Sequence, residues 1–100
     1  MNITRAKAAN TITLEGEGVV DNGNYKQLEE ALNRELQGNV SMLVIDFGKA
    51  EYISSLGLRT LYNTMGQIKA KNKHMVLKNV GGAVMEMFDI TGFSGIFNII

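Results

Sequence analysis

Apolar residues recur along this chain with two different periods. Near the start, Ile12 and Leu14 alternate with Thr11, Thr13 and Glu15. Period two is the mark of a half-buried strand. A first strand near Ile3 to Ala6 pairs with it as a hairpin, joined through Ala8-Ala9-Asn10. Gly16, Gly18 and Asp21-Asn22-Gly23-Asn24 then read as a turn-rich stretch. From Tyr25 to Gln37 the spacing changes to that of a helix. Leu28, Ala31, Leu32 and Leu36 share one face, while Lys26, Glu29, Glu30, Asn33 and Arg34 lie away from it. Asn24 is the expected N-cap and Gly38-Asn39 the stop.

Ser41 to Phe47 is apolar almost throughout, and Met42, Leu43, Val44 and Ile45 do not alternate, which predicts a central strand covered on both faces. A loop is expected from Gly48 to Ile53. Ser54-Ser55 then opens a second helix, with Leu58, Leu61, Tyr62, Met65 and Ile68 at helical spacing and an end near Lys71-Asn72. Met75 to Leu77 predicts a short strand, broken by Gly81-Gly82. Val84, Met87 and Phe88 suggest a third helix closed by Thr91-Gly92, and Ile96 to Ile100 a terminal strand. Strands alternating with helices require crossover connections. The expected architecture is therefore α/β, with about three helices on a mixed, mostly parallel sheet whose antiparallel edge is the opening hairpin. Two or three layers satisfy the pattern. Residues 1–100 form one domain by length, and no internal repeat or linker is evident.

Composition narrows the chemistry. Ten Lys and Arg balance ten Asp and Glu, so no net field draws the chain to nucleic acid or an anionic membrane. Cysteine is absent, which excludes disulfides, thiolate metal sites and a Cys nucleophile. No apolar signal core follows the first residues, and the longest apolar run, Met42 to Ile45, is far too short to span a bilayer. A cytoplasmic protein without membrane insertion is expected.

The informative segment runs from Asp46 to Arg59, from the end of the central strand to the mouth of the second helix. Ligand sites in open α/β sheets lie at the carboxyl ends of strands. A helix start offers free N–H groups and a partial positive charge, which favour a phosphate. Serine is also a preferred N-cap, so one of Ser54 and Ser55 can be read simply as a cap.

Tyr52-Ile53-Ser54-Ser55-Leu56-Gly57-Leu58-Arg59 resembles the signature of the STAS domain family: an aromatic, an apolar residue, Asp or Ser, then Ser, any residue, Gly and Leu. Asp46-Phe47 is similar to the Asp-Leu that ends the family's central strand. Gly18-Val19-Val20-Asp21, with Tyr25, Leu28 and Leu32, is similar to its Gly-x-x-Asp segment and first helix. Met87-Phe88-Asp89-Ile90-Thr91-Gly92-Phe93 resembles its Leu-Phe-x-x-x-Gly-Leu element. The resemblance spans nearly the whole chain and implies an anti-sigma factor antagonist rather than an enzyme. Such a domain binds an anti-sigma factor with serine kinase activity, is released when phosphorylated, and is reset by a serine phosphatase. Carried over, the phosphoacceptor is Ser55, with Ser54 the lesser candidate. Many family members have Asp where this chain has Ser54. The expected partner-binding residues are Asp21, Ser54, Ser55, Gly57, Arg59 and Asn63, with Gly66 further along the same exposed helix face.

Other candidates have plainer readings. Asp21 and Asp46 resemble a carboxylate pair, but Asp21 suits a turn and Asp46 is expected to fix the Ser54 loop. His74 has no second His or Cys near it, so neither a metal nor a cofactor is expected. Lys69, Lys71 and Lys73 suit a helix C-terminus. Gly81-Gly82 lacks phosphate-loop spacing and reads as a turn. Met85, Met87, Phe88, Phe93 and Phe97 either seal an open side of the sheet or leave an apolar patch for a partner. Two rival functions remain at this level. One is a STAS subunit regulating a transporter ATPase. The other is a small nucleotide-binding α/β enzyme, for which no phosphate loop or nucleophile with its base is visible.

Overall fold

The computed structural model describes all residues, Met1–Ile100. Strands β1 (Asn2–Ala8) and β2 (Thr11–Val20) form the opening hairpin, and α1 (Tyr25–Leu36) follows. Then come β3 (Met42–Asp46), β4 (Ala50–Ile53), α2 (Ser55–Ala70), β5 (His74–Lys78) and α3 (Gly82–Thr91). A single 3-10 turn covers Phe93–Gly95. The sheet order is β1-β2-β3-β5, with β4 also beside β2. Only β1 is antiparallel. The mixed, mostly parallel sheet with its antiparallel hairpin is the expected one.

Four expectations are corrected. The central strand does alternate: Leu43 and Ile45 are buried, while Met42, Val44 and Asp46 are half-buried. Helices therefore cover one face of the sheet, and the fold has two layers. Second, β2 does not end at Gly16. It runs to Val20 and changes partner on the way, from β3 over Thr11–Glu15 to β4 over Gly18–Val20, with a register shift between Gly18 and Val19. Gly18 takes φ +95°, a left-handed value that suits glycine, at the point where the register passes over Glu51 of β4. Third, the expected loop before Ile53 contains β4. Its four residues are too short and too exposed at Glu51 and Tyr52 to show a period. Fourth, the C-terminal strand reduces to one parallel bridge, Leu77 to Ile99, where the Leu77 N–H donates to the Asn98 carbonyl at 2.9 Å.

One apolar core joins the layers. Ile12, Leu14, Leu43, Ile45 and Leu77 from the sheet meet Leu28, Leu32, Leu58, Leu61, Ile68, Val84 and Phe88 from the helices. Phe88 sits edge-on to both Phe47 and Phe97, at 6.1 and 5.5 Å between ring centres. Phe88 and Phe97 thus close the core, while Met85, Met87 and Phe93 pack partly buried against it.

Glu35 of α1 is buried yet satisfied, because the Arg5 guanidinium donates to it from β1 at 2.7 and 3.3 Å. That hydrogen bond, and then the carboxylate charge, hold the Arg5 guanidinium above its ordinary value. Lys71 and Lys73 do not serve α2, as their sequence position suggested. Their ammonium groups donate to Leu36 and Gly38 carbonyls at the end of α1, meeting acceptors that the helix itself leaves open.

Candidate functional site

The mouth of α2 is fixed by its own first residues. Ser54 has extended backbone (φ −79°, ψ 168°) and is the N-cap, its hydroxyl accepting the Gly57 N–H at 3.3 Å. It is only 7% exposed. Its own N–H donates to the Val20 carbonyl at 2.8 Å, which ties the start of α2 to the end of β2. Ser55, the first residue of the helix, is exposed. Ser54, not Ser55, takes the capping position.

Gly57 is also buried, and the fold requires it. A Cβ there would lie 2.7 Å from Ile53 Cγ1 and 2.9 Å from Val20 Cγ1. The expected contact role of Gly57 is therefore corrected to packing: it lets α2 press against the ends of β2 and β4. Ser54 likewise lies beneath the surface as a cap. Arg59 and Asn63 are exposed on the same helix as Ser55, one and two turns on.

Asp21 is exposed immediately after Val20, on the strand end that Ser54 holds. Its carboxylate accepts the N–H groups of Gly23 at 2.8 Å and Asn24 at 3.0 Å, and its carbonyl accepts that of Tyr25 at 3.0 Å. The expected cap, Asn24, makes no side-chain cap bond. Its amide instead spans the loop, accepting from the Asp21 N–H and donating to the Val19 carbonyl, both at 2.9 Å. Asp21 therefore starts α1 and rigidifies a loop beside the Ser55 mouth.

Asp46 does not fix the Ser54 loop. Its Oδ1 accepts the Gly48 N–H at 2.8 Å and the Asn79 amide at 3.0 Å, with Lys78 at 3.9 Å from Oδ2. Partial burial pushes this carboxyl up. The Asn79 and Gly48 hydrogen bonds and the charges of Lys78 and Lys49 outweigh that, so its pKa is lowered overall. Asp46 thus clamps two turns and stays ionised. No group of three His, Asp or Glu side chains converges to hold a metal ion.

Two members of the rim escaped the residue-level reading. Val19 and Tyr52, each 37% exposed, are register partners across β2 and β4 and form an apolar edge beside the mouth. The signal was present in the pairs Val19-Val20 and Tyr52-Ile53, each with one residue out and one in, but only once β4 is known to be a strand.

The arrangement offers one outward hydroxyl at a helix N-terminus, a cation one turn along, a rigid loop and an apolar edge. It holds no nucleophile paired with a base. These features belong to a small α/β domain whose second helix opens onto solvent at its N-terminus. The STAS domain model matches residues 2–100, and the chain belongs to that family. BtrV of Bordetella bronchiseptica, provisionally named an anti-sigma factor antagonist, is 35% identical over 83 residues, covering 83% of this chain and 72% of BtrV. An anti-sigma factor antagonist from Mycobacterium paratuberculosis superposes with a TM-score of 0.89 at 21% identity, over 98% of this chain and 83% of that one. The antagonist SpoIIAA in its unphosphorylated form gives 0.83 at 17% identity, over 99% of this chain and 88% of its own. Its phosphorylated form, described as a Bacillus cell fate determinant, gives 0.75 at 16% identity, over 99% and 91%. No helix is long and apolar enough to cross a membrane.

Proposed function

We propose that this chain is an anti-sigma factor antagonist. It binds an anti-sigma factor with serine kinase activity while Ser55 is free, is released when Ser55 is phosphorylated, and is reset by a serine phosphatase. The observation that carries this reading is the division of labour at α2: Ser54 is buried as the cap, and Ser55 stands exposed at the first helical position. The name of BtrV, a relative over most of the chain, supports the same partner class.

The physics of release needs no change of shape. A phosphoryl group adds about −1.5 to −2 charges. At a docked surface those charges must be desolvated or set against like charge. A thousandfold loss of affinity corresponds to about 4 kcal/mol, within reach of such a penalty. Because the hydroxyl is exposed and the helix N-terminus favours an anion, the fold itself tolerates the modification.

The test joins two measurements. A pull-down with the unmodified protein identifies the partner, and intact-mass analysis with that partner and ATP shows whether Ser55 gains a phosphate. The expected partner is a kinase-type anti-sigma factor. Recovery of a transporter component instead favours a regulatory subunit of a transporter ATPase. Turnover of a nucleotide by the isolated chain favours an enzyme. Ser55→Asp is expected to weaken the anti-sigma factor complex at least tenfold with an unchanged melting temperature, whereas Ser55→Ala binds and resists release. Equal binding by Ser55→Asp and wild type overturns the switch.

A further inference from the structure

The outer stripe of α2 carries an anomaly. Ser55, Arg59, Tyr62, Gly66 and Lys69 are all exposed and follow one another at steps of four, three, four and three residues, a single line along the helix. Gly66 lies inside the helix, where glycine is among the least favourable residues. Unlike Gly57, nothing in the fold asks for it: a Cβ at Gly66 meets no atom within 4 Å. Gly66 lies in a shallow, open depression of about 570 Å³, lined also by Tyr62, Asn63, Met65, Gln67 and Lys69. Tyr62 stands beside it, 46% exposed.

The charge along this helix has one sign. Ser55–Ala70 contains no Asp or Glu. The ion pairs of the molecule engage Arg5, Lys49 and Lys78, leaving Arg59 and Lys69 without a carboxylate.

We propose that this stripe seats an acidic helix of the protein partner, whose backbone approaches α2 most closely over Gly66. The proposal rests on the docking role given to α2 above and adds the chemistry of what docks. Small residues let two helices approach, and Tyr62 supplies an aromatic anchor beside the gap. Arg59 and Lys69 attract the carboxylates of the incoming helix. Ser55 lies at the end of the same line, so its phosphate opposes that helix directly. The same electrostatics that recruit the partner set the sign of its release.

The experiment has two arms. In the first, the anti-sigma factor is titrated against wild type, Gly66→Ala, Arg59→Glu and Lys69→Glu. Gly66→Ala is expected to raise the melting temperature and to weaken binding at least tenfold. Each charge reversal weakens binding at least tenfold, and wild-type affinity falls as salt is raised. If the wild type binds and all three variants bind equally well, the stripe proposal is overturned while the antagonist reading stands. A fall in melting temperature for Gly66→Ala also overturns it, since the glycine then serves the fold.

The second arm needs no anti-sigma factor, so it still decides if the antagonist reading fails. Isotope-labelled protein is titrated with an amphipathic helical peptide of Glu and Leu, and with its Lys and Leu counterpart. Amide shifts at Arg59, Tyr62, Gly66 and Lys69 with the acidic peptide alone are the expected result. No shifts there, or equal shifts with the basic peptide, overturn the proposal.

Discussion

Two neighbouring serines with identical side chains meet opposite environments because a helix begins between them. Ser54 accepts a backbone N–H and is buried, whereas Ser55 faces solvent. Ser54→Ala is expected to cost about 1 kcal/mol of stability, read from chemical denaturation, while Ser55 stays exposed. Gly57 makes the complementary point. With Ile53 and Val20 atoms inside 3 Å of a would-be Cβ, Gly57→Ala is expected to destabilise the protein by about 1–3 kcal/mol through overpacking. An unchanged denaturation midpoint would show that the contact relaxes freely. That a cap and a helix mouth fall at Ser54-Ser55 was legible from residue types, which have local signatures, but which serine caps was not, since two adjacent serines carry the same signature. The burial of Gly57 was not, because the atoms that exclude a side chain come from Val20 and Ile53 on two different strands.

At the scale of elements, turns and strand ends carry the adjustable terms. Ala9, in the hairpin turn, is held at φ +54°, where a Cβ costs roughly 1 kcal/mol or more. Ala9→Gly is expected to raise the urea midpoint by an amount equivalent to about 1 kcal/mol, the gain being reduced by the greater freedom of the unfolded chain. At the far end of β3, the pKa of Asp46 is lowered in the folded state: burial opposes ionisation, but Asn79, Gly48, Lys78 and Lys49 prevail. A carboxyl with a lowered folded pKa adds stability above the ordinary carboxylate value, lost as pH falls through the folded one. Wild type should thus be more stable than Asp46→Asn at neutral pH, and the gap should close below roughly pH 4, as thermal melts across pH will show. Helix boundaries were legible because apolar spacing and stop residues are local. β4 was not, since Ala50–Ile53 becomes a strand only by pairing with Gly18–Val20. The duties of Lys71 and Lys73 were hidden for the same reason, as their acceptors belong to another helix.

For the whole molecule, the decisive feature is a two-layer build with its aromatic seal at one end. Phe97 is 7% exposed and packs on Phe88 although it belongs to no regular element. Phe97→Ala is expected to cost about 3 kcal/mol, and a denaturation midpoint close to wild type would mean that the tail is ornamental. The number of layers was beyond the sequence because Met42 and Val44 are apolar on a face that no helix covers. Their partial exposure is a fact of topology, not of hydropathy. The family pattern nonetheless spans the chain, since its motifs sit at the strand ends and helix starts that topology must bring together.

The swerve of β2 at Gly18 has a consequence for how such a domain can change over time. Upstream residues are locked in phase with β3 and downstream ones with β4, where Glu51 is left unmatched, so the junction works like a dislocation in a crystal. Losing one residue there would shift the later half by a single step and exchange the inward Val20 for the outward Val19. Loops elsewhere can grow or shrink, but at this point the count of residues decides whether the Val20 carbonyl still meets the Ser54 N–H and holds the start of α2 in place.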